Sequence, residues 1–126
     1  MAHWFLPRKH VIYSYVKVDK SLKVTDLISF YCLPSSILQN PNYKKLMSAY
    51  SFFNINTSCE FKELMKCALI LAKKENFDVF NCLNIMDNEP VLNDLLFGQG
   101  DGTLKYYFWN FACPKTEPKD LALVLM

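Results

Sequence analysis

The sequence predicts an α+β fold: a mixed sheet with helices packed on it. Three observations carry this reading. The chain has 126 residues, 52% of them hydrophobic and 21% charged, which suits one folded domain and excludes a disordered chain. β-branched and aromatic residues cluster in short, partly alternating runs up to residue 55 and again from residue 78. Between those regions one stretch switches to the period of a helix. We therefore expect a single domain over residues 1–126, in the order three strands, helix, strand, helix, strand, strand.

Each element has its own signal. His10 to Val18 and Val24 to Leu33 read as the first two strands, the second stopped by Pro34. Asn40-Pro41-Asn42 is a turn, and Leu46 to Ile55, with Tyr50, Phe52 and Phe53, reads as a third strand. Phe61, Leu64, Met65, Ala68, Leu69 and Ala72 then follow the i, i+3, i+4, i+7 spacing of an amphipathic helix. Thr57 with Glu60 gives a capping-box start, and Lys73 and Lys74 complement the helix dipole at its end. Asp78 to Asn84 reads as a short fourth strand. Asn88-Glu89-Pro90 opens a second helix, which Gly98 stands ready to cap. Leu104 to Phe111 is apolar on both faces and reads as a central fifth strand, and Leu121 to Val124 as a last short one.

Composition removes several functions. Net charge is +2, from 14 Lys+Arg against 12 Asp+Glu, with basic residues scattered, so no electrostatic footprint for nucleic acid is present. The longest apolar runs, Cys67 to Ala72 and Leu121 to Met126, fall far short of the ~20 residues that span a membrane. Pro7, Arg8 and Lys9 interrupt any secretory core. The five cysteines, Cys32, Cys59, Cys67, Cys82 and Cys113, form an odd set without a C-x-x-C pair. His3 and His10 lie far from them, so no metal site is expected. Buried free thiols in a reducing, cytoplasmic setting are the reading.

Two features bear on chemistry. The chain holds 3 glycines where average usage gives about nine, and all of them lie in Gly98-Gln99-Gly100-Asp101-Gly102, where backbone freedom is thus concentrated. This loop follows a helix and opens a strand, the reverse of a phosphate loop, and Asp101 at its centre repels phosphate. Two readings remain open: a loop offering main-chain hydrogen bonds and a carboxylate to a peptide, or a tight turn with Asp101 bonded to its own backbone. The apolar terminus Leu121 to Met126 also has two readings. It is a last core strand whose carboxylate emerges at the surface, or a tail that sets that carboxylate in a cleft. No nucleophile–base pair stands out, since Ser35 and Ser36 follow Pro34 without a G-x-S-x-G elbow.

A set of segments in order adds more. His3-Trp4-Phe5-Leu6-Pro7, Phe30-Tyr31-Cys32-Leu33-Pro34-Ser35, Ala49-Tyr50-Ser51-Phe52, Phe77-Asp78-Val79-Phe80-Asn81, Phe97 to Gly102, Tyr106-Tyr107, Cys113-Pro114 and Leu123-Val124-Leu125 follow one another. Together they resemble the C-terminal part of the eukaryotic N-myristoyltransferase family (glycylpeptide N-tetradecanoyltransferases), from His3 to Met126. The resemblance implies a GNAT-like acyltransferase half-domain that supplies a peptide groove, with the acyl-CoA-binding N-terminal half absent. It implies transfer of myristate from myristoyl-CoA, a co-substrate of the complete enzyme with no cofactor held by this half, to the N-terminal glycine of proteins. The base is then the C-terminal carboxylate of Met126. Ser35, Tyr50, Asn81, Leu83, Asp101, Gly102 and Leu104 line the groove, Gly100 shapes the loop, and Asp101 meets a serine or lysine farther along the peptide. The partners implied are N-terminal glycine peptides and the missing half.

The isolated chain is expected to be inactive, because the resemblance assigns the acyl-CoA cleft and the oxyanion-stabilising amides to that other half. Two rival readings are a non-catalytic peptide-binding or interaction module, and a truncated fragment without a role of its own.

Overall fold

Residues 2–124 are described by the computed structural model, in two units: one spans 2–83 and takes in Val124, the other spans 84–123. The first unit is built on a four-stranded sheet. Its strands are β1 (Ile12–Val18), β2 (Val24–Cys32), β5 (Ser48–Ser51) and β6 (Val79–Asn81), in that spatial order. β1–β2 and β2–β5 are antiparallel, and β5–β6 is parallel. Parallel neighbours need a crossover, and α2 (Phe61–Lys74) is that crossover. A short helix α1 (Ala2–Phe5) precedes the sheet. A small hairpin, β3 (Ser35–Ser36) with β4 (Lys45–Leu46), sits between β2 and β5. Asn40 Oδ1 accepts the backbone N–H of Asn42 (2.9 Å) and Tyr43 (3.1 Å), so the turn read from the sequence lies inside this hairpin.

The core lies between the sheet and α2. Phe30 is 0% exposed, stacked on Tyr13 (5.3 Å, 10°) and met edge-on by Phe77 (5.7 Å) and Phe80 (5.6 Å). From α2, Leu64, Met65, Ala68 and Ala72 are buried, the face that the helical spacing marked. Burying a Leu, Met or Phe side chain stabilises by about 1.5–3 kcal/mol each, so this face, rather than helix propensity, holds α2 in place.

Lys73 and Lys74 lie in the last turn of α2 as expected, but its start differs from the sequence reading. Thr57 is not its cap: the N-cap position is Glu60, extended at φ −64 and ψ 138, with no side-chain cap bond. The Thr57 hydroxyl donates to Thr25 O instead, and its N–H to Asp26 Oδ1. At the other end Asn76 is left-handed (φ 63). Its N–H bonds Lys73 O (3.1 Å), and Phe77 N–H bonds Ala72 O (3.1 Å). This is a Schellman closure with asparagine in the glycine position.

β5 is shorter than the strand expected over Leu46 to Ile55, for a traceable reason. After Ser51 the chain turns to the backbone and side chain of Ser29 in β2. Phe52 N–H bonds Ser29 O (2.9 Å), Phe53 N–H bonds Ser29 Oγ (3.2 Å), and Asn54 Oδ1 accepts Ser29 N–H (3.1 Å). Ladder bonding resumes only as a single bridge between Leu27 and Ile55.

In the second unit α3 (Glu89–Leu92) starts at the expected Pro90 signal but stops short. Leu96, not Gly98, is the left-handed residue behind it (φ 59). Leu96 N–H bonds Asn93 O (3.1 Å), and Phe97 N–H bonds Leu92 O (2.9 Å). No glycine has positive φ, whereas His10, Leu22, Gln39, Asn76, Met86, Leu96 and Asn110 do. A Cβ added at Gly98, Gly100 or Gly102 meets nothing within 4 Å. The backbone freedom concentrated in this loop is therefore not what its conformation uses.

The strands expected over Leu104 to Phe111 and Leu121 to Val124 do not form. Among the described residues neither segment pairs with a strand, and Trp109 is 95% exposed. Apolar, aromatic-rich sequence readies a segment for a ladder but does not supply the partner. A 3-10 turn at Pro118–Asp120, a bond from Met86 N–H to Pro118 O (3.2 Å) and one from the Tyr106 hydroxyl to Leu123 O (2.9 Å) order this unit instead.

Candidate functional site

β2, β5 and β6 bring three polar aromatic and amide side chains onto one rung. Tyr31 lies opposite Tyr50, and Tyr50 opposite Asn81. Opposed residues share a face, so all three project away from the helix side that holds Phe30. The Tyr31 and Tyr50 rings stack at 5.3 Å and 17°. Phe52 meets Tyr31 edge-on (6.1 Å, 86°), and Phe5 of α1 lies 5.6 Å from Phe52. The face thus combines an aromatic wall with a phenol and an amide. Such a surface hydrogen-bonds an extended peptide while packing against its side chains.

The other site residues read from the sequence divide between the units. Ser35 is exposed on β3, opposite Leu46. Its hairpin joins the sheet where Leu33 N–H bonds Ser48 O (2.9 Å), one residue from Ala49 and two from Tyr50. Leu83 is half-buried just beyond Asn81. These four positions, Ser35, Tyr50, Asn81 and Leu83, belong to the first unit. Gly100, Asp101, Gly102 and Leu104 belong to the second, where all four are exposed. Met126, whose carboxylate was read as the base, lies outside the described residues.

The sequence reading missed Tyr31, although it directly precedes Cys32 in a quoted segment. The signal was period-two alternation: with Phe30 buried, Tyr31 must face the opposite side. It also missed Asp26, 1% exposed on β2. Asp26 Oδ1 accepts the N–H of Thr57 (2.8 Å) and Ser58 (2.9 Å); Oδ2 accepts the Thr25 hydroxyl (2.7 Å) and a very short bond from the Ser58 hydroxyl. Lys17 Nζ stands 3.9 Å from Oδ2. The Ser58 side-chain and backbone bonds, with those of Thr25 and Thr57, hold the carboxyl well below the usual range against an opposing desolvation. This knot fixes the segment that delivers α2 to the sheet. A charge inside a strand pattern was its sequence signal, because a buried carboxylate demands donors.

The thiols are more varied than expected. All five cysteines are free, but Cys67 and Cys113 are exposed rather than buried. Burial pushes the Cys82 thiol, beside Asn81, up to about 11, against a smaller opposing hydrogen bond involving Ser51. Burial also raises Cys32 and Cys59, the latter with a contribution from Asp26. None of these three is an activated nucleophile. Among the described residues no group of three or more His, Cys, Asp or Glu could hold a metal ion, and no helix is long and apolar enough to cross a membrane.

The fold recurs in proteins of distant sequence. An aminoglycoside 6'-N-acetyltransferase of Acinetobacter baumannii shares it at TM-score 0.54 and 11% identity, over 87% of this chain and 77% of that one. The nearer likenesses are to one family. The profile described as myristoyl-CoA:protein N-myristoyltransferase, C-terminal domain, matches residues 1–122, and the chain belongs to that family. It is 50% identical to glycylpeptide N-tetradecanoyltransferase 2 of Bos taurus, over 99% of this chain and 25% of that relative. It is also 50% identical to the enzyme of Plasmodium falciparum, over 100% of this chain and 30% of that relative. The Saccharomyces cerevisiae N-myristoyltransferase, solved with bound myristoyl-CoA, superposes at TM-score 0.73 and 37% identity, over 80% of this chain and 29% of that one. The chain thus spans between a quarter and three tenths of the length of these relatives.

Proposed function

We propose that this chain is the peptide-binding part of an enzyme that moves myristate from myristoyl-CoA to the N-terminal glycine of proteins. The observation that carries the proposal is 50% identity to two such enzymes over essentially the whole chain. The Tyr50–Asn81 rung supports the groove, with Ser35 and Leu83 at its flanks and Gly100, Asp101, Gly102 and Leu104 as a second set of contacts. Myristoyl-CoA is the co-substrate, held by the part of the enzyme that this chain does not contain. Cytoplasmic residence fits the free cysteines, which persist in reducing compartments.

The base of the reaction is the Met126 carboxylate. The glycine amine must lose a proton before it attacks the thioester, and an α-ammonium has pKa near 7.7–8.0. An α-carboxylate sits near 3.5, so in water the transfer is uphill by about four units, roughly 6 kcal/mol. An apolar, dehydrated site narrows this gap from both sides, since desolvation raises the acid and lowers the amine. The apolar run Leu121 to Leu125 suits that purpose, and the carboxylate also holds the ammonium in place for attack.

The experiment is a complete enzyme carrying this chain, prepared with a free and with an extended or amidated C-terminus. Blocking the carboxylate should lower kcat at least a hundredfold, the scale of a lost general base. Unchanged kcat overturns the assignment. In parallel, this chain alone should bind Gly-peptides without turning over myristoyl-CoA. Turnover by the chain alone would place the acyl site here instead.

A further inference from the structure

We propose that Tyr31 is a positioning residue for peptide binding: its ring, stacked on Tyr50, holds Tyr50 in the orientation that meets the peptide. The proposal rests on the reading of Tyr50 as a groove residue given above, and extends it to a side chain outside that set. The geometry is specific. Tyr31 and Tyr50 are register partners on antiparallel strands, so their Cβ atoms project from one face, about 5 Å apart. Their rings lie nearly parallel, at 17° and 5.3 Å. Such pairs are attractive beyond the area they bury.

Tyr31 can hold Tyr50 because it is itself held. Phe52 packs edge-on against it (6.1 Å, 86°). Phe52 is buried and is met in turn by Phe53 (4.6 Å, 66°) and by Phe5 of α1 (5.6 Å). The chain of rings runs from the buried Phe52, through Tyr31, to the half-exposed Tyr50. Among the described residues no side-chain hydrogen bond orients the Tyr50 hydroxyl, so stacking is what orients its ring. A ring free to turn about χ1 must be ordered on binding, and that ordering weakens affinity for the peptide. Nothing in this arrangement touches the thioester, so the effect falls on peptide KM and leaves chemistry alone.

The test uses the complete enzyme with Tyr31→Leu, Tyr31→Phe, Tyr50→Leu and the double variant Tyr31→Leu/Tyr50→Leu. Tyr31→Phe keeps the stacking ring and should retain wild-type KM for a Gly-peptide. Tyr31→Leu should raise that KM about fivefold, with kcat and the KM for myristoyl-CoA unchanged. In the Tyr50→Leu background Tyr31→Leu should add nothing further, because the residue through which it acts is gone. Additive effects, or a Tyr31→Leu effect on the KM for myristoyl-CoA, overturn the proposal. A Tyr50→Leu enzyme with unchanged peptide KM overturns instead the groove reading on which it rests. Should Tyr31→Leu not fold, Tyr31→Met, which keeps bulk without a ring, takes its place in the same comparison.

Discussion

The first unit and the segment from Leu104 to Phe111 carry similar sequence material and reach different ends. Both are rich in aromatic residues, which favour strands. In the first unit, Phe30 finds Tyr13, Phe77 and Phe80 around it, and β2 has ladder partners on both sides. In the later segment the aromatic residues Tyr107, Phe108, Trp109 and Phe111 are exposed, and no strand pairs with them among the described residues. The lesson is that strand character in a sequence is a capacity. It becomes a strand only where another backbone edge satisfies its N–H and C=O groups.

The sharpest way to break this comparison is a pair of aromatic truncations. Phe30→Ala empties the centre of the core and should cost about 3–5 kcal/mol. Trp109→Ala removes a larger ring from an exposed position and should change stability by less than about 0.5 kcal/mol. Urea denaturation of both variants decides it. Equal losses would mean that the later segment is packed in solution as tightly as β2.

A smaller effect concerns how the first unit is stitched together. The Asp26 carboxyl is depressed in the folded state, so its contribution is fully present above the ordinary aspartate value of about 3.9. That contribution fades as pH falls below this value toward the depressed one. Asp26→Asn keeps the shape but removes the charge and presents a donor where donors already converge. The stability gap between wild type and variant should hold from pH 7 to about pH 5 and narrow below about pH 4. A gap that stays constant down to pH 3 would sink the role of the ionised carboxylate in clamping Thr57 and Ser58.

The smallest effect separates Leu96 from Gly98, both behind α3. Leu96 is left-handed, a conformation that costs an L-residue roughly 1–2 kcal/mol and glycine nothing. Leu96→Gly should therefore stabilise, by less than about 1 kcal/mol once the extra freedom of glycine in the unfolded chain is subtracted. Gly98→Ala should cost nothing, because no glycine has positive φ and the added Cβ has open space. Thermal melting of the two variants checks both directions, and a destabilised Leu96→Gly would show that Leu96 earns its place through packing.

Much of the fold was legible in the residues. β1, β2 and the buried face of α2 follow from alternation and helical spacing, because those patterns report which side of an element can leave water. The hairpin β3–β4 was not legible, since two-residue strands carry no period. The end of β5 was not legible either, because Ser29 and Asn54 are far apart in sequence and their bonds replace the ladder. In the candidate site, Tyr50 and Asn81 came from family resemblance, and no spacing rule pairs them. Only the register of β5 against β6 makes them neighbours.

By itself, then, the sequence determined the class of fold, the helix face that packs, the family and the absence of a side-chain nucleophile motif. Those depend on local pattern and on the order of segments, which a linear chain displays in full. Tertiary structure alone decided that Tyr31, Tyr50 and Asn81 share a rung, that Thr25 and Asp26 draw Thr57 from its capping role, and that the left-handed positions behind α2 and α3 fall on asparagine and leucine rather than on glycine. Each of these is a choice between a local partner and a distant one. The distant partner wins where it satisfies a buried donor, charge or ring that the local sequence leaves unpaired.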